Sequence, residues 1–256
     1  MNAKPGINMT KDTQSLIEAQ SIHLSYGDFT VISDLSFTIQ SGTFIGLIGP
    51  NGAGKTSLLL ALSGQFQPQE GRILYNESNI YEKNNDYKQV VGFVHETPFM
   101  YPFLSAEEFL HFIARVKMVP TEERDAQIQS ALQSVFLYEE KHKLTSTLSM
   151  GMRKKLAIAA ALLGSPKIIF MDEALNGIDI ESAFHIKKML KNLVNEGLTV
   201  ILSSHVLEVI EKICDRYLVL KKGEIVADVN AADFTHTKKQ SGVSDLEQYI
   251  IKILKK

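Results

Sequence analysis

The chain has 256 residues, 45% hydrophobic and 22% charged, with a formal net charge of −2. That composition excludes a disordered or collagen-like polymer, and the near-neutral balance gives no general basic footprint, so no nucleic-acid partner is expected. The one cysteine, Cys214, cannot close an internal disulfide; it reads as a small core residue in a reducing compartment.

Residues 1–15 read as a polar, poorly ordered tail, and "MNAKPGINMTKDTQ" lacks the apolar stretch of a secretory leader. Two β-like stretches follow, "LIEAQSIHLSY" and "TVISDLSFTI", separated by the turn signal Gly27-Asp28. "TFIGLIG" is a buried strand that runs into glycine-rich "GPNGAGKT" and then the helix "SLLLALSG"; "GRILYN" and "VVGFVH" read as further strands. At Ser105 the pattern changes. Ser105 with Glu108 forms a capping box, and Phe109, Phe112, Ile113 and Val116 follow the spacing of an amphipathic helix. A second helix is expected over 121–137, and residues 97–160 form a helical subdomain inserted in an α/β core. The core resumes with the strand "KIIFMD", a helix over 181–195, the strand "LTVILSS", a helix over 206–214, and the hairpin "RYLVLKKGEIVAD" around Lys222-Gly223. A polar stretch, "THTKKQSGVSD", leads to an apolar-striped C-terminal helix. Apolar runs such as "LAIAAALL" fall short of the roughly 20 residues needed to cross a bilayer, so any membrane-spanning part is expected on another chain.

Gly49, Pro50, Asn51, Gly52, Ala53, Gly54, Lys55 and Thr56 fit G-x-x-x-x-G-K-[ST] between a strand and a helix, the context that marks a phosphate-binding loop. Glycines let backbone N–H groups curl round phosphate oxygens, and the helix N-terminus, with Ser57 in its first turn, adds favourable charge. Lys55 is expected to neutralise the β- and γ-phosphates of a nucleotide, and the Thr56 hydroxyl to ligate Mg²⁺. The strand "KIIFMDE" delivers Asp172 to a sheet edge, where it is expected to hold the metal, with Glu173 placed to deprotonate a water. A helix-capping role for Asp172 and a merely solvated Glu173 stay open. His205, ending "ILSSH", is either a structural histidine or a hydrogen-bond donor beside the γ-phosphate. Tyr26 is either a local core aromatic or a stacking platform for a base.

"TLSMGMRKKLAIAAALLG" starts a helix against the usual rules. Ser149 is a good N-cap, yet Arg153, Lys154 and Lys155 follow within the first turns, where positive charge opposes the macrodipole. Broken local rules point to a functional site.

The P-loop "GPNGAGKT", the segment "LSMG", "IIFMDE", "LNGID" and His205 resemble, in that order and spacing, the ATP-binding cassette ATPases, over about residues 16–230. The resemblance implies an α/β fold: a P-loop NTPase core with a mixed, largely parallel sheet, an N-terminal antiparallel β subdomain and the inserted α-helical subdomain. It implies a cassette over 16–234 and a C-terminal linker and helix over 235–256. It also implies a head-to-tail dimer, with a second copy or a paralogous ATPase. There Leu148, Ser149, Met150 and Gly151 close over ATP bound to the other subunit's P-loop, and Asp179 contacts that subunit. Glu173, His205 and Lys55 would be catalytic, and Tyr26 would stack on adenine. Three departures stand out. Met150 replaces a usual glycine and puts bulk near the closing phosphate. "EAL" replaces the commoner "EPT". Glu96 stands where the family has a glutamine that touches Mg²⁺, which keeps it a candidate metal ligand.

The loop holding Phe99, Met100, Tyr101 and Phe103 is an apolar docking candidate, and in the family this area receives a cytoplasmic helix of a transmembrane permease. The chain looks most like single-cassette ATPases paired with exporter-type permeases, peripheral to the cytoplasmic face of the membrane. A soluble single-cassette ATPase of the iron–sulfur-assembly type is the competing reading. A P-loop kinase would leave "LSMG" and His205 unexplained.

Overall fold

The computed structural model describes residues 15–82, 86–234 and 245–254. The expected polar tail therefore lies outside the described residues except for Ser15, which opens the first strand, and so does nearly all of the polar stretch before the last helix.

Two sheets organise the chain. The long strands β1 (Ser15–Tyr26) and β2 (Phe29–Gln40) pair antiparallel, and β4 (Glu70–Tyr75) and β5 (Ser78–Asn79) extend them in the order β2-β1-β4-β5. The second sheet has six strands, β10 (Glu224–Asn230), β9 (Arg216–Lys221), β3 (Phe44–Ile48), β8 (Thr199–Ser203), β7 (Ile168–Asp172) and β6 (Val91–Val94), in that spatial order. Strands β9, β3, β8, β7 and β6 run parallel, and β10 pairs antiparallel at the edge. Strands β3, β7 and β8 are buried at every position, as continuous apolar runs of a central parallel sheet should be.

Their alternation divides the interior. Ile168 and Phe170 of β7 face a core shared with β1, β2 and helix α1 (Lys55–Leu62), while Ile169 and Met171 face a second core. That second core takes in α3 (Ala106–Val116), α4 (Thr121–Ser134), α5 (Met150–Leu162), α6 (Ile180–Asn195), α7 (Leu207–Ile213) and the C-terminal α8 (Leu246–Leu254). Helix α1 is thus sandwiched between the sheets, with the loop before it fixed at the carboxyl end of β3. A short α2 (Asp86–Val90) precedes β6, where the sequence pattern showed only a strand.

The capping box at Ser105 forms as expected, with both reciprocal bonds made. The apolar stripe of α3 needs correction. Ala106, Phe109, Leu110 and Ala114 are buried, whereas Phe112 and Val116 are exposed. Alanines carry little hydrophobic signal, yet their small size sets the close face towards the other helices. Helix α4 ends at Ser134, short of the expected 137, where Phe136 turns into the left-handed region at φ 57°.

Candidate nucleotide site

The loop between β3 and α1 leaves the sheet beside the point where β3 parts from its neighbours β8 and β9, the position where open α/β sheets bind ligands. Gly54 occupies the N-cap position of α1 at φ 102°, a conformation open to glycine and costly for a residue with a Cβ. No side chain caps this helix. Lys55 is buried, and its Nζ donates to the main-chain oxygens of Gly49 at 2.9 Å and Pro50 at 3.1 Å. The loop also receives the Gly223 N–H on the Ala53 oxygen, so the β9–β10 hairpin braces it. Asn51, Gly52 and Thr56 face solvent, while Ala53 and Ser57 are buried.

Parallel pairing brings the carboxylate pair to the same edge. Asp172 ends β7 opposite Ser203, which ends β8. Asp172 is 4% exposed and both its oxygens are satisfied: Thr56 Oγ1 donates to Oδ2 at 2.7 Å and Ser203 Oγ to Oδ1 at 2.6 Å. It caps no helix. The Thr56 hydroxyl and Asp172 carboxylate form an all-oxygen, hard donor set that fits Mg²⁺ completed by water and phosphate oxygens. Among the described residues no cluster of three or more His, Cys, Asp or Glu offers a metal an all-protein cage.

Glu173 follows in the left-handed region at φ 47°. Its N–H is held by Ser203, its main-chain oxygen accepts from Lys154 Nζ at 3.0 Å, and its carboxylate accepts from Asn176 Nδ2 at 2.7 Å. His205 Nδ1 lies 3.0 Å from the same carboxylate oxygen. Glu173 is therefore tethered rather than merely solvated, and His205 is brought to it. Glu96 is exposed just after β6 and makes no hydrogen bond among the described residues, so no direct contact ties it to Thr56 or Asp172. Its neighbour His95, which the sequence did not single out, packs on Phe93 with ring centroids 4.2 Å apart; burial pulls its pKa down against the pull of Asp172.

Tyr26 is 49% exposed and stacks on Phe66 with ring centroids 4.8 Å apart and planes 9° apart, so it is not buried in a core. Its hydroxyl lies 3.4 Å from Ser57 Oγ. Phe66 escaped the sequence reading because it stands alone in a polar turn.

The "LSMG" segment, residues 148–151, is arranged differently. Leu148 is buried, Ser149 and Met150 are exposed, and Ser149 Oγ accepts from Met152 N at 3.3 Å. Met150 points into solvent, whereas a Cβ on Gly151 would lie 2.7 Å from the Gly177 main-chain oxygen. The glycine that is kept is thus the one needed for packing. The basic residues behind it turn inward: Lys155 Nζ donates to Ser182 Oγ at 3.1 Å and lies 3.6 Å from Asp179 Oδ2. Asp179 caps α6 by accepting from Ser182 N at 2.8 Å, and hydrogen bonds from the Ser182 backbone and then its side chain, with a smaller pull from Lys155, hold its carboxyl below the usual range.

A glycine-rich loop between a parallel strand and a helix, with a hydroxyl and a carboxylate converging behind it, defines a P-loop nucleotide-binding domain. The family is shown by sequence: the ABC transporter model matches residues 32–176, and the chain belongs to that family. It is 34% identical over 212 residues to the linearmycin resistance ATP-binding protein LnrL of Bacillus subtilis (strain 168), covering 83% of this chain and 68% of that one. It is 33% identical over 219 residues to the bacitracin transport ATP-binding protein BcrA of Enterococcus faecalis, covering 85% and 70%. A solved ATP-binding subunit of an ABC transporter superposes with a TM-score of 0.85 at 25% identity, over 93% of this chain and 99% of that one. Among the described residues no helix is long and apolar enough to cross a membrane.

Proposed function

We propose that the chain binds and hydrolyses Mg-ATP as the ATPase subunit of an ABC transporter, pairing head to tail with a second cassette and driving a separate permease in the export direction. The observation that carries the catalytic part is the tether on Glu173. A carboxylate held by Asn176 and His205, directly after a metal-type aspartate, is oriented to take a proton from water.

In this reading Lys55 exchanges the Gly49 and Pro50 oxygens for phosphate oxygens, a charge-assisted replacement of neutral acceptors. Thr56 and Asp172 would hold Mg²⁺, with Glu96 as a further candidate ligand, and the metal would supply charge neutralisation at the phosphates. Ser203 keeps Asp172 in place. Glu173 accepts the proton of the attacking water, and His205 fixes the carboxylate and reaches towards the γ-phosphate. Tyr26 stacks on the base. Leu148, Ser149, Met150 and Gly151 present the α5 N-terminus to the partner's nucleotide, and Asp179 lies on the same side. The resistance and antibiotic-transport roles in the names of LnrL and BcrA favour export.

The test is light scattering and steady-state hydrolysis on Glu173→Gln. The variant is expected to bind Mg-ATP, shift from monomer to dimer, and hydrolyse roughly 10²–10⁴-fold more slowly, as loss of a general base implies. Unchanged turnover moves the base elsewhere. Bound ATP without a dimer means that closure requires the permease or a different cassette.

A further inference from the structure

Helix α5 meets the segment after β7 along one face. Gly151 packs on the Gly177 backbone, Lys154 reaches the Glu173 oxygen, and Lys155 reaches Ser182 and Asp179. These residues stand at i, i+3 and i+4, neighbours on a helix surface.

Lys154 is 5% exposed, and a buried ammonium is costly unless held. It donates to the Glu173 oxygen at 3.0 Å within the field of Glu96, Glu173 and Asp172, whose attraction opposes the larger effect of burial, which lowers its pKa. Glu173 itself sits at φ 47°, a backbone state that persists only where the surroundings over-determine it. Ser203, Asn176 and His205 hold it from the sheet edge and its loop, and Asn176 N also donates to its oxygen at 3.3 Å. Among these described contacts, Lys154 is the one that arrives from the helical segment. Its helix begins at Ser149, the residue that faces outward.

We propose that Lys154 is a positioning residue that couples the two nucleotide sites of the dimer through α5. The proposal rests on the reading above. When the Ser149 end of α5 closes on the partner's nucleotide, the rigid helix carries the displacement to the Glu173 peptide, and the carboxylate of the chain's own site is set. Both sites then bias one element, the physical requirement for coupling. The lysine also offsets the charge that Glu96 brings to the site.

The experiment compares steady-state hydrolysis by the full-length wild type and Lys154→Met, with monomer ATP affinity read by a fluorescent nucleotide and Tm recorded alongside. The expected result is a fall in kcat of about tenfold, a barrier change near 1.4 kcal/mol, with monomer affinity changed less than about twofold and a Hill coefficient that drops from above 1 to 1. A structural role alone would lower Tm and leave the Hill coefficient in place. Lower kcat with unchanged cooperativity, wild-type values of both, or a wild-type Hill coefficient of 1 overturns the coupling. Should the Met variant not fold, Lys154→Gln keeps a donor without the charge, and the same loss of cooperativity is expected with a smaller fall in kcat. Wild-type protein without Glu173-dependent hydrolysis would instead overturn the ATPase reading itself, which the Glu173→Gln control separates from failure of the coupling.

Discussion

Helices α1 and α5 both begin at proposed nucleotide contacts, yet they start in opposite ways. Helix α1 opens from a left-handed glycine with no side-chain cap, and Lys55 and Ser57 in its first turn are buried. Helix α5 opens with the Ser149 cap, and Ser149 and Met150 face solvent. What they share separates them from the other helices described above. Neither has an acidic residue in its first turn, while α2, α3, α4, α6, α7 and α8 carry Asp86, Glu107 and Glu108, Glu122 and Glu123, Glu181, Glu208, and Glu247 there. Acidic residues satisfy the positive end of a helix. In the proposed dimer, leaving them out at two helices would keep both ends available to phosphate. One end belongs to the chain's own loop and the other lies on its surface.

The largest effect should come from breaking the α1 side. Lys55→Ala removes a charge-assisted contact to phosphate and is expected to weaken ATP binding by about a hundredfold, read by fluorescent nucleotide titration. Near-normal affinity would leave the loop without its proposed ligand. Breaking the α5 side should do something different. Ser149→Arg, made in the Glu173→Gln protein, is expected to abolish the ATP-driven dimer in light scattering and leave monomer ATP affinity within about twofold, because Ser149 is exposed and makes its recorded bond within its own helix. A matching loss of monomer affinity would place α5 over its own chain's nucleotide.

The α1 side was legible in the sequence because its chemistry is local. Strand, glycine-rich loop and helix are contiguous, and Asp172 and Glu173 end a run whose apolar character already marks a buried parallel strand. The α5 side was legible only in part. Lys154 spends its charge on a main-chain oxygen 19 residues away, and such an acceptor leaves no trace in residue types. Ser203 is equally silent: a serine ending a strand is common, and its bond to Asp172 spans 31 residues. Met150 is exposed at the start of the helix, on the side proposed to meet the partner's nucleotide, while the tight packing falls to Gly151.

That last contrast can be measured. A Cβ at Gly151 would sit 2.7 Å from the Gly177 oxygen, a backbone atom that moves only with its loop. Overpacking of this kind costs about 1–3 kcal/mol, while alanine in place of glycine in a helix returns roughly 0.5–1 kcal/mol. The clash wins, so Gly151→Ala is expected to lower stability by about 1 kcal/mol in denaturant unfolding. Met150→Ala, at an exposed position, should stay within about ±0.5 kcal/mol. A stabilised Gly151→Ala protein would mean that the loop yields, and that α5 is not locked to the segment carrying Glu173.

The smallest effect on the isolated chain belongs to the aromatic loop. Met100, expected among its exposed residues, is buried and anchors the loop, while Phe99 is 76% and Phe103 88% exposed. Phe99 packs edge-on to Tyr101 at 5.5 Å, and Tyr101 to Phe112 at 5.2 Å, so part of this apolar surface is held in fixed geometry. Phe103→Ala removes little that the fold buries, and stability and ATP affinity are expected to hold within about 0.5 kcal/mol. Phe103 belongs to neither helix start, so it separates catalysis from attachment. In native cells the Phe103→Ala chain is expected to leave the membrane fraction while its isolated ATPase is retained. Retention on membranes would move the permease contact away from this loop, and a parallel loss of ATPase would show that the loop serves the site itself.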